Sequence, residues 1–139
     1  MRIVRVPLRI ATYVWTSPTT LVGLTAGMLA LGTGGKARVR RGVIEFHGGF
    51  IGWAFRGIGR VAIHPGAMTL GHVILGDDPA FLDEVRDHEH VHVRQAERWG
   101  PFFVPAYLLA SLYAAARGRD AYRHNWFERE AFGDFERGR

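Results

Sequence analysis

Residues 77–101 read DDPAFLDEVRDHEHVHVRQAERWGP, and the fold turns on how this stretch is read. Asp77 and Asp78 supply an N-cap, Pro79 suits the first helical position, and Gly100 followed by Pro101 is a helix ending. Between these signals lie about five to six turns at 3.6 residues per turn. An apolar stripe runs through Phe81, Val85, Ala96 and Trp99, and His88 and His92 take the intervening positions on it. Residues four apart on a helix stand one turn above each other, so the two imidazoles are expected to face the same way and inward. Buried ring nitrogens need partners, and one shared metal ion satisfies both.

His88-Glu89-His90-Val91-His92 has the pattern HExxH. It is the geometry for two nitrogen ligands to one zinc ion, with Glu89 beside them as general base toward a metal-activated water. His90 is rotated about 200° from His88 at 100° per residue and cannot join the pair. The chain has no cysteine, which excludes disulfides, iron–sulfur clusters, thiolate zinc sites and thiol catalysis. Any metal is then held by imidazole and carboxylate. A catalytic zinc takes three protein ligands, and NWFEREAFGD at 125–134 is the dense downstream supply of carboxylates. Glu128 and Glu130 are both candidates, about 200° apart on a helix, so only one can face the metal. Glu128 has a second reading as the capping-box partner of Asn125, and Glu130 with Asp134 forms an i,i+4 pair. Spacing alone leaves the choice open.

Working outward, 139 residues at 47% hydrophobic and 22% charged composition suit one ordinary globular domain over 1–139. Upstream of the central helix the texture is that of strands. RGVIEFH (41–47) and FIGWAF (50–55) are separated by Gly48-Gly49, a dipeptide suited to a hairpin turn; RVAIH (60–64) and MTLGHVIL (68–75) follow. The expectation is a small, mostly antiparallel sheet. Downstream, 105–117 is an almost uncharged helix, and a third, acidic helix begins near Asn125. The fold class is therefore α+β.

The first 36 residues form an apolar N-terminal helix or arm. PTTLVGLTAGMLAL (18–31) is uncharged, with arginines before it and Lys36, Arg38, Arg40 and Arg41 after it. It is shorter than the roughly 20 apolar residues of a membrane span, and its length and flanks fit either a helix against a membrane surface or one packed on the domain's own core. The net charge is +5, but the arginines are scattered rather than massed in a block that tracks a phosphate backbone, which argues against nucleic acid. Localisation on this reading is cytoplasmic, with membrane association through 18–31 as the open point.

Taken together, HEHVHVRQAERWGPFFVPAY (88–107), AYRHNWFEREAF (121–132) and the TLGHVIL strand resemble a family of small bacterial proteins carrying HExxHVxQ, GPxFxxAY and NPFExEAY. That family is similar in plan to the gluzincin metallopeptidases, in which a glutamate from a later helix joins the two histidines on zinc. The ExxA pattern of such glutamates, laid on this chain, implies Glu128 as the third ligand, with Glu130 in reserve. Trp126 replaces the family's proline, and Phe132 stands where gluzincins place a polar residue that orients a zinc histidine. Asp134 or Asp87 is then expected to take over that orienting task.

The function implied is zinc-dependent hydrolysis of peptide bonds in a peptide or protein substrate, with His88, His92 and Glu128 as ligands and Glu89 as base. Two alternatives stand beside it: a zinc-stabilised binding or regulatory domain, and a basic membrane-surface or nucleic-acid-binding module with incidental histidines. Among the remaining candidates, His72 is either an oxyanion donor or a packing residue. His124, four residues before Glu128, is either a ligand or hydrogen-bond partner there or, on the favoured reading, an exposed loop histidine. Tyr107, Tyr122, Gln95 and Trp99 read as packing residues.

Overall fold

A computed structural model describes residues 5–58 and 66–137. The helix anticipated from its caps is α3, Pro79–Trp99. Asp78 sits extended at φ −141° and ψ 161°, and its carboxylate accepts the Phe81 N–H at 2.9 Å. Gly100 ends the helix at φ 55°, and a Cβ there would lie 2.2 Å from the Trp15 indole. Only glycine meets both the backbone and the packing demand. The expected apolar stripe is only partly right. Leu82, Val91, Val93 and Ala96 carry the burial, whereas Phe81 and Val85 are half-buried and Trp99 is largely at the surface.

The sheet contains β1 (Lys36–Arg40), β2 (Val43–His47), β3 (Ala67–Leu70) and β4 (Val73–Gly76) in the order β1-β2-β4-β3. It is mixed rather than antiparallel. Two hairpins, β1–β2 and β3–β4, lie side by side, and their inner strands β2 and β4 run parallel. A helix intervenes between the hairpins and supplies the crossover that parallel pairing needs. That helix, α2 (Gly49–Ile58), is the FIGWAF segment expected as a strand. Gly48 and Gly49 have φ of 74° and 54°, but they turn the chain into a helix instead of a hairpin. Ile51 and Phe55, four apart, are buried while Phe50 and Trp53 are exposed, which is helical rather than alternating spacing. Thr33 Oγ1 caps the helix by accepting the Phe50 N–H at 2.7 Å. MTLGHVIL is not one strand but the β3–β4 hairpin, with Gly71 at φ 63° in its two-residue turn. The strand expected over 60–64 lies outside the described residues.

Helix α1 (Arg5–Gly32) is longer than the apolar run inside it and passes through Pro18. Pro18 lacks the N–H that Val14 C=O would otherwise receive, and the Ser17 hydroxyl donates to that carbonyl at 2.7 Å. Glycines let α1 lie close on the sheet: a Cβ at Gly27 would stand 2.3 Å from the Phe46 ring. Phe46, Ile51, Phe55, Val73 and Leu75 form the core under α1 and α2. On the other face Val43, Ile74, Leu82 and Val93 join the sheet to α3. Glu45, fully buried in this layer, accepts from Arg38 at 2.6 Å and from Arg86 of α3 at 2.7 and 3.1 Å. Burial pushes its carboxyl up, and the two guanidiniums outweigh this and hold it below the usual range.

Two more helices complete the chain, α4 (Phe103–Ala116) and α5 (Trp126–Arg137). Phe103 and Phe127 pack with Ala96 into a third core between α3, α4 and α5. The α+β class and the run of three C-terminal helices match the expectation from sequence.

Candidate metal centre

The inward positions of α3 fall between two neighbours, β3 on one side and α5 on the other. His88, Glu89, His92 and Gln95 are all buried. A buried imidazole, carboxylate or amide costs several kcal/mol unless it is partnered. The structure shows where each partner comes from.

Glu128, in the first turn of α5, reaches across to both histidines. Its Oε2 lies 3.0 Å from His88 Nε2 and its Oε1 3.2 Å from His92 Nε2; the two Nε2 atoms are 3.3 Å apart. Ligand atoms about 2.0–2.1 Å from one tetrahedral zinc ion are separated from each other by about 3.3–3.4 Å. Each ring nitrogen thus lies at about ligand-to-ligand distance from the other and from one oxygen of the Glu128 carboxylate, which turns a different oxygen to each ring. All three residues are buried, at 7% exposure or less, and their candidate ligand atoms lie within 4.8 Å of one another. This group can hold a metal ion.

Glu130, the reserve ligand, is not in the cluster. It accepts from Gln95 Nε2 at 2.7 Å and from Arg98 at 2.9 Å. Nor does Glu128 serve as a capping-box residue. Asn125 Oδ1 caps α5 at the Phe127 N–H, 2.9 Å, and the Asn125 N–H goes to Tyr122 O. Asn125 Nδ2 donates to Tyr107 O and Ser111 Oγ, which ties the start of α5 to α4.

Gln95 does more than pack between helices. Its Nε2 donates to Phe127 O and to Glu130, so its Oε1 is the atom that faces His92 Nδ1, 2.8 Å away. An amide oxygen only accepts, so Nδ1 of His92 carries a proton and Nε2 presents its lone pair to the cluster whenever the ring is neutral. Sequence spacing held a hint, since Gln95 stands three residues beyond His92 on the same face. Asp87, expected to orient a ligand, instead pairs with Arg41 at 2.8 Å near the surface. The Asp134 side chain lies outside the described residues. The Phe132 ring packs against His88, with the ring centres 4.7 Å apart.

Tyr107 likewise does more than pack. From α4 its hydroxyl donates to Glu128 Oε1 at 2.5 Å, and burial, followed by the Glu128 charge, raises its pKa far above the ordinary phenol value. Glu89 accepts from the Thr69 hydroxyl of β3 at 2.8 Å, a bond that fixes the carboxylate beside the cluster. Its charge is felt at His92. His72 is buried but engaged elsewhere, by Thr16 and Glu97, and His124 is exposed. Comparison with family models, curated proteins and solved structures gives no match to the chain.

The electrostatics follow from the geometry in the metal-free protein. Burial pushes His92 down, but Glu128 and Glu89 together raise it to about 9. Burial pushes Glu128 up, but hydrogen bonds from His88, His92 and Tyr107 bring it to about 2. The His92 contribution to stability is complete below its ordinary 6.5 and lost as pH rises through about 9. The Glu128 contribution is present above 4.5 and lost as pH falls through about 2. Urea midpoints of the chelator-treated protein should therefore fall between pH 6.5 and 9, and Glu128→Gln should flatten that decline.

The choice between the two carboxylates is open to elemental analysis. Glu128→Gln should purify without a stoichiometric divalent metal ion. Glu130→Gln should keep it, with affinity lowered about tenfold, the lower end for a partner of a ligand. Metal retained by Glu128→Gln and lost by Glu130→Gln would reverse the assignment.

Proposed function

We propose that the chain is a zinc-dependent metallopeptidase of gluzincin plan, with His88, His92 and Glu128 as its zinc ligands and Glu89 as its general base. The observation that carries this reading is the convergence of two buried imidazoles and a buried carboxylate within reach of one ion, with a further carboxylate held on the same helix. His and carboxylate donors at this spacing suit zinc, and three ligands leave one position open. His88, His92 and Glu128 would hold the zinc ion, which would supply Lewis acidity toward a scissile carbonyl and toward water. Glu89 then takes the proton of the attacking water and delivers it to the leaving amine. Thr69 holds that carboxylate in place through its hydroxyl. Tyr107 and Gln95 hold Glu128 and His92, and such partners are worth about 10–100-fold in metal affinity or activity. Substrates on this reading are peptides or proteins.

Location follows from a different observation. The stretches Val6–Gly32 and Pro79–Ala116 are long and apolar enough, by length and composition, to cross a membrane. Helix α4 has no polar face, yet only Phe103 and Ala114 are buried. Leu108, Leu109, Leu112 and Tyr113 are 61–66% exposed, and α1 similarly exposes Leu8, Ile10, Val14 and Leu21. A fully covered leucine gains about 1.5–3 kcal/mol. Several such side chains suffice for binding at a lipid surface, so we place the enzyme on the cytoplasmic face of a membrane with α1 and α4 against lipid.

Glu89→Gln decides between the enzyme and a zinc-stabilised binding domain. The variant should retain one zinc per chain and lose peptide hydrolysis by at least about 100-fold, the lower end of what a general base contributes. Wild-type protein with stoichiometric zinc and no cleavage across a broad peptide library favours the binding domain. For the location, wild-type protein should float with phosphatidylcholine vesicles in high salt, and Leu108→Glu with Leu112→Glu should leave most of it at the bottom of the gradient.

A further inference from the structure

Among the described residues, three aromatic rings from outside α3 meet the two clustered imidazoles. Phe103 and Tyr107 of α4 stand 6.3 and 6.0 Å from His92, and Phe132 of α5 stands 4.7 Å from His88, centre to centre. The rings differ in what lies behind them. Phe103 is 3% exposed and belongs to the core between α3, α4 and α5, and Tyr107 is half-buried, whereas Phe132 is 40% exposed. On the His88 side, then, an apolar ring stands between the buried candidate ligands and solvent.

Two elements hold this ring in place. Phe132 lies four residues after Glu128, so the repeat of α5 puts it on the same helix face as the candidate ligand. Tyr122 meets it edge-on, with ring centres 5.9 Å apart and planes at 90°. Tyr122 itself comes from a well-tied turn. The Asp120 carboxylate accepts the Tyr122 and Arg123 N–H groups at 2.9 and 2.6 Å, and the Tyr122 carbonyl accepts the Asn125 N–H at 3.1 Å. The Tyr122 hydroxyl feels the cluster: burial first, then the charges of Glu128 and Glu89, push its pKa above the ordinary phenol value. The ring pair thus borders both the candidate ligands and the proposed base.

Binding sites for small groups are lined mainly by apolar and aromatic side chains around a few placed polar atoms, and this rim has that make-up. We propose that Phe132 and Tyr122 form the wall of a subsite that takes a large apolar or aromatic side chain of the peptide, next to the bond to be cleaved. The inference rests on the zinc-peptidase reading and names the substrate class within it. A side chain of this kind covers the exposed face of Phe132 and stacks or meets edge-on with the two rings. Small side chains leave that face in water, and charged ones lose hydration against it without finding a partner on Phe132. Neither residue is a ligand, so their part is in choosing the substrate.

The test uses zinc-loaded full-length protein and two probes with the same metal-binding group, acetohydroxamic acid and 3-phenylpropionohydroxamic acid. Each is titrated by calorimetry, with zinc content measured on every sample. Wild-type protein should bind the phenyl probe at least about tenfold more tightly, the lower end of what an apolar pocket discriminates. Phe132→Ala and, independently, Tyr122→Ala should each remove most of that ratio, and Phe132→Leu should keep it. A purely structural role for either ring weakens both probes alike and leaves the ratio unchanged. Equal binding of the two probes by wild type, or an unchanged ratio in zinc-loaded Phe132→Ala and Tyr122→Ala, overturns the subsite. The expected ratios in a protein that cleaves no peptide support the subsite and overturn the peptidase reading. Failure of zinc-loaded wild type to bind either probe overturns both, since the metal then has no open position.

Discussion

A helix enclosed along most of its circumference cannot carry polar side chains inward unless its neighbours answer each one, and α3 carries four of them in less than two turns. His88, Glu89, His92 and Gln95 are all buried, and besides the His88–His92 and His92–Gln95 contacts within α3 their partners come from other elements. Thr69 comes from β3, Glu128 and the Phe127 carbonyl from α5, and Tyr107 reaches the same carboxylate from α4. The cost of an unmatched buried group is large enough that this set of hydrogen bonds specifies how the C-terminal helices dock. Apolar contact between Ala96, Phe103 and Phe127 supplies the area, but it is nearly indifferent to a small rotation of α5. The polar set is not.

The sheet side of α3 is organised by another buried charge. Glu45 receives two guanidiniums, Arg38 from the neighbouring strand and Arg86 from the helix, so the central helix is located by ionic hydrogen bonds on one side and by the histidine–carboxylate cluster on the other. Removing one partner from such a buried pair is costly, because the remaining charge stays in a place with little water. The helix axis is therefore rigid where the candidate ligands need it to be. By contrast α1 and α4 leave much of their apolar surface uncovered, so the exposed apolar side chains lie on helices other than the one that carries the two histidines.

What was misread has physical causes. FIGWAF is a short apolar run without charges, and such a run fits a strand or a buried helix equally well until its buried positions are known to be Ile51 and Phe55. The parallel pairing of β2 with β4 depends on α2 as a crossover, so mistaking α2 for a strand also hid the parallel pair. The strand pattern around Glu45 does not say that α3 covers its face, and it is this cover that buries the carboxylate fully. Gln95 and Tyr107 carry no signature beyond their place near the motif, and their roles exist only once α4 and α5 are docked.

By itself the sequence determined those features that arise within one helix or one turn. These are the caps at Asp78 and Gly100, the stacking of His88 over His92, the opposed direction of His90 and the requirement that any metal be held without thiolate. It also narrowed the distant ligand to two glutamates but could not choose, because their separation around a helix says only that they face different ways. Tertiary structure chose Glu128 for the cluster and gave Glu130 to Gln95 and Arg98. The reason is that a helix repeat fixes angles about its own axis, while which of those angles meets a second helix is set by docking, through contacts between residues some 40 positions apart.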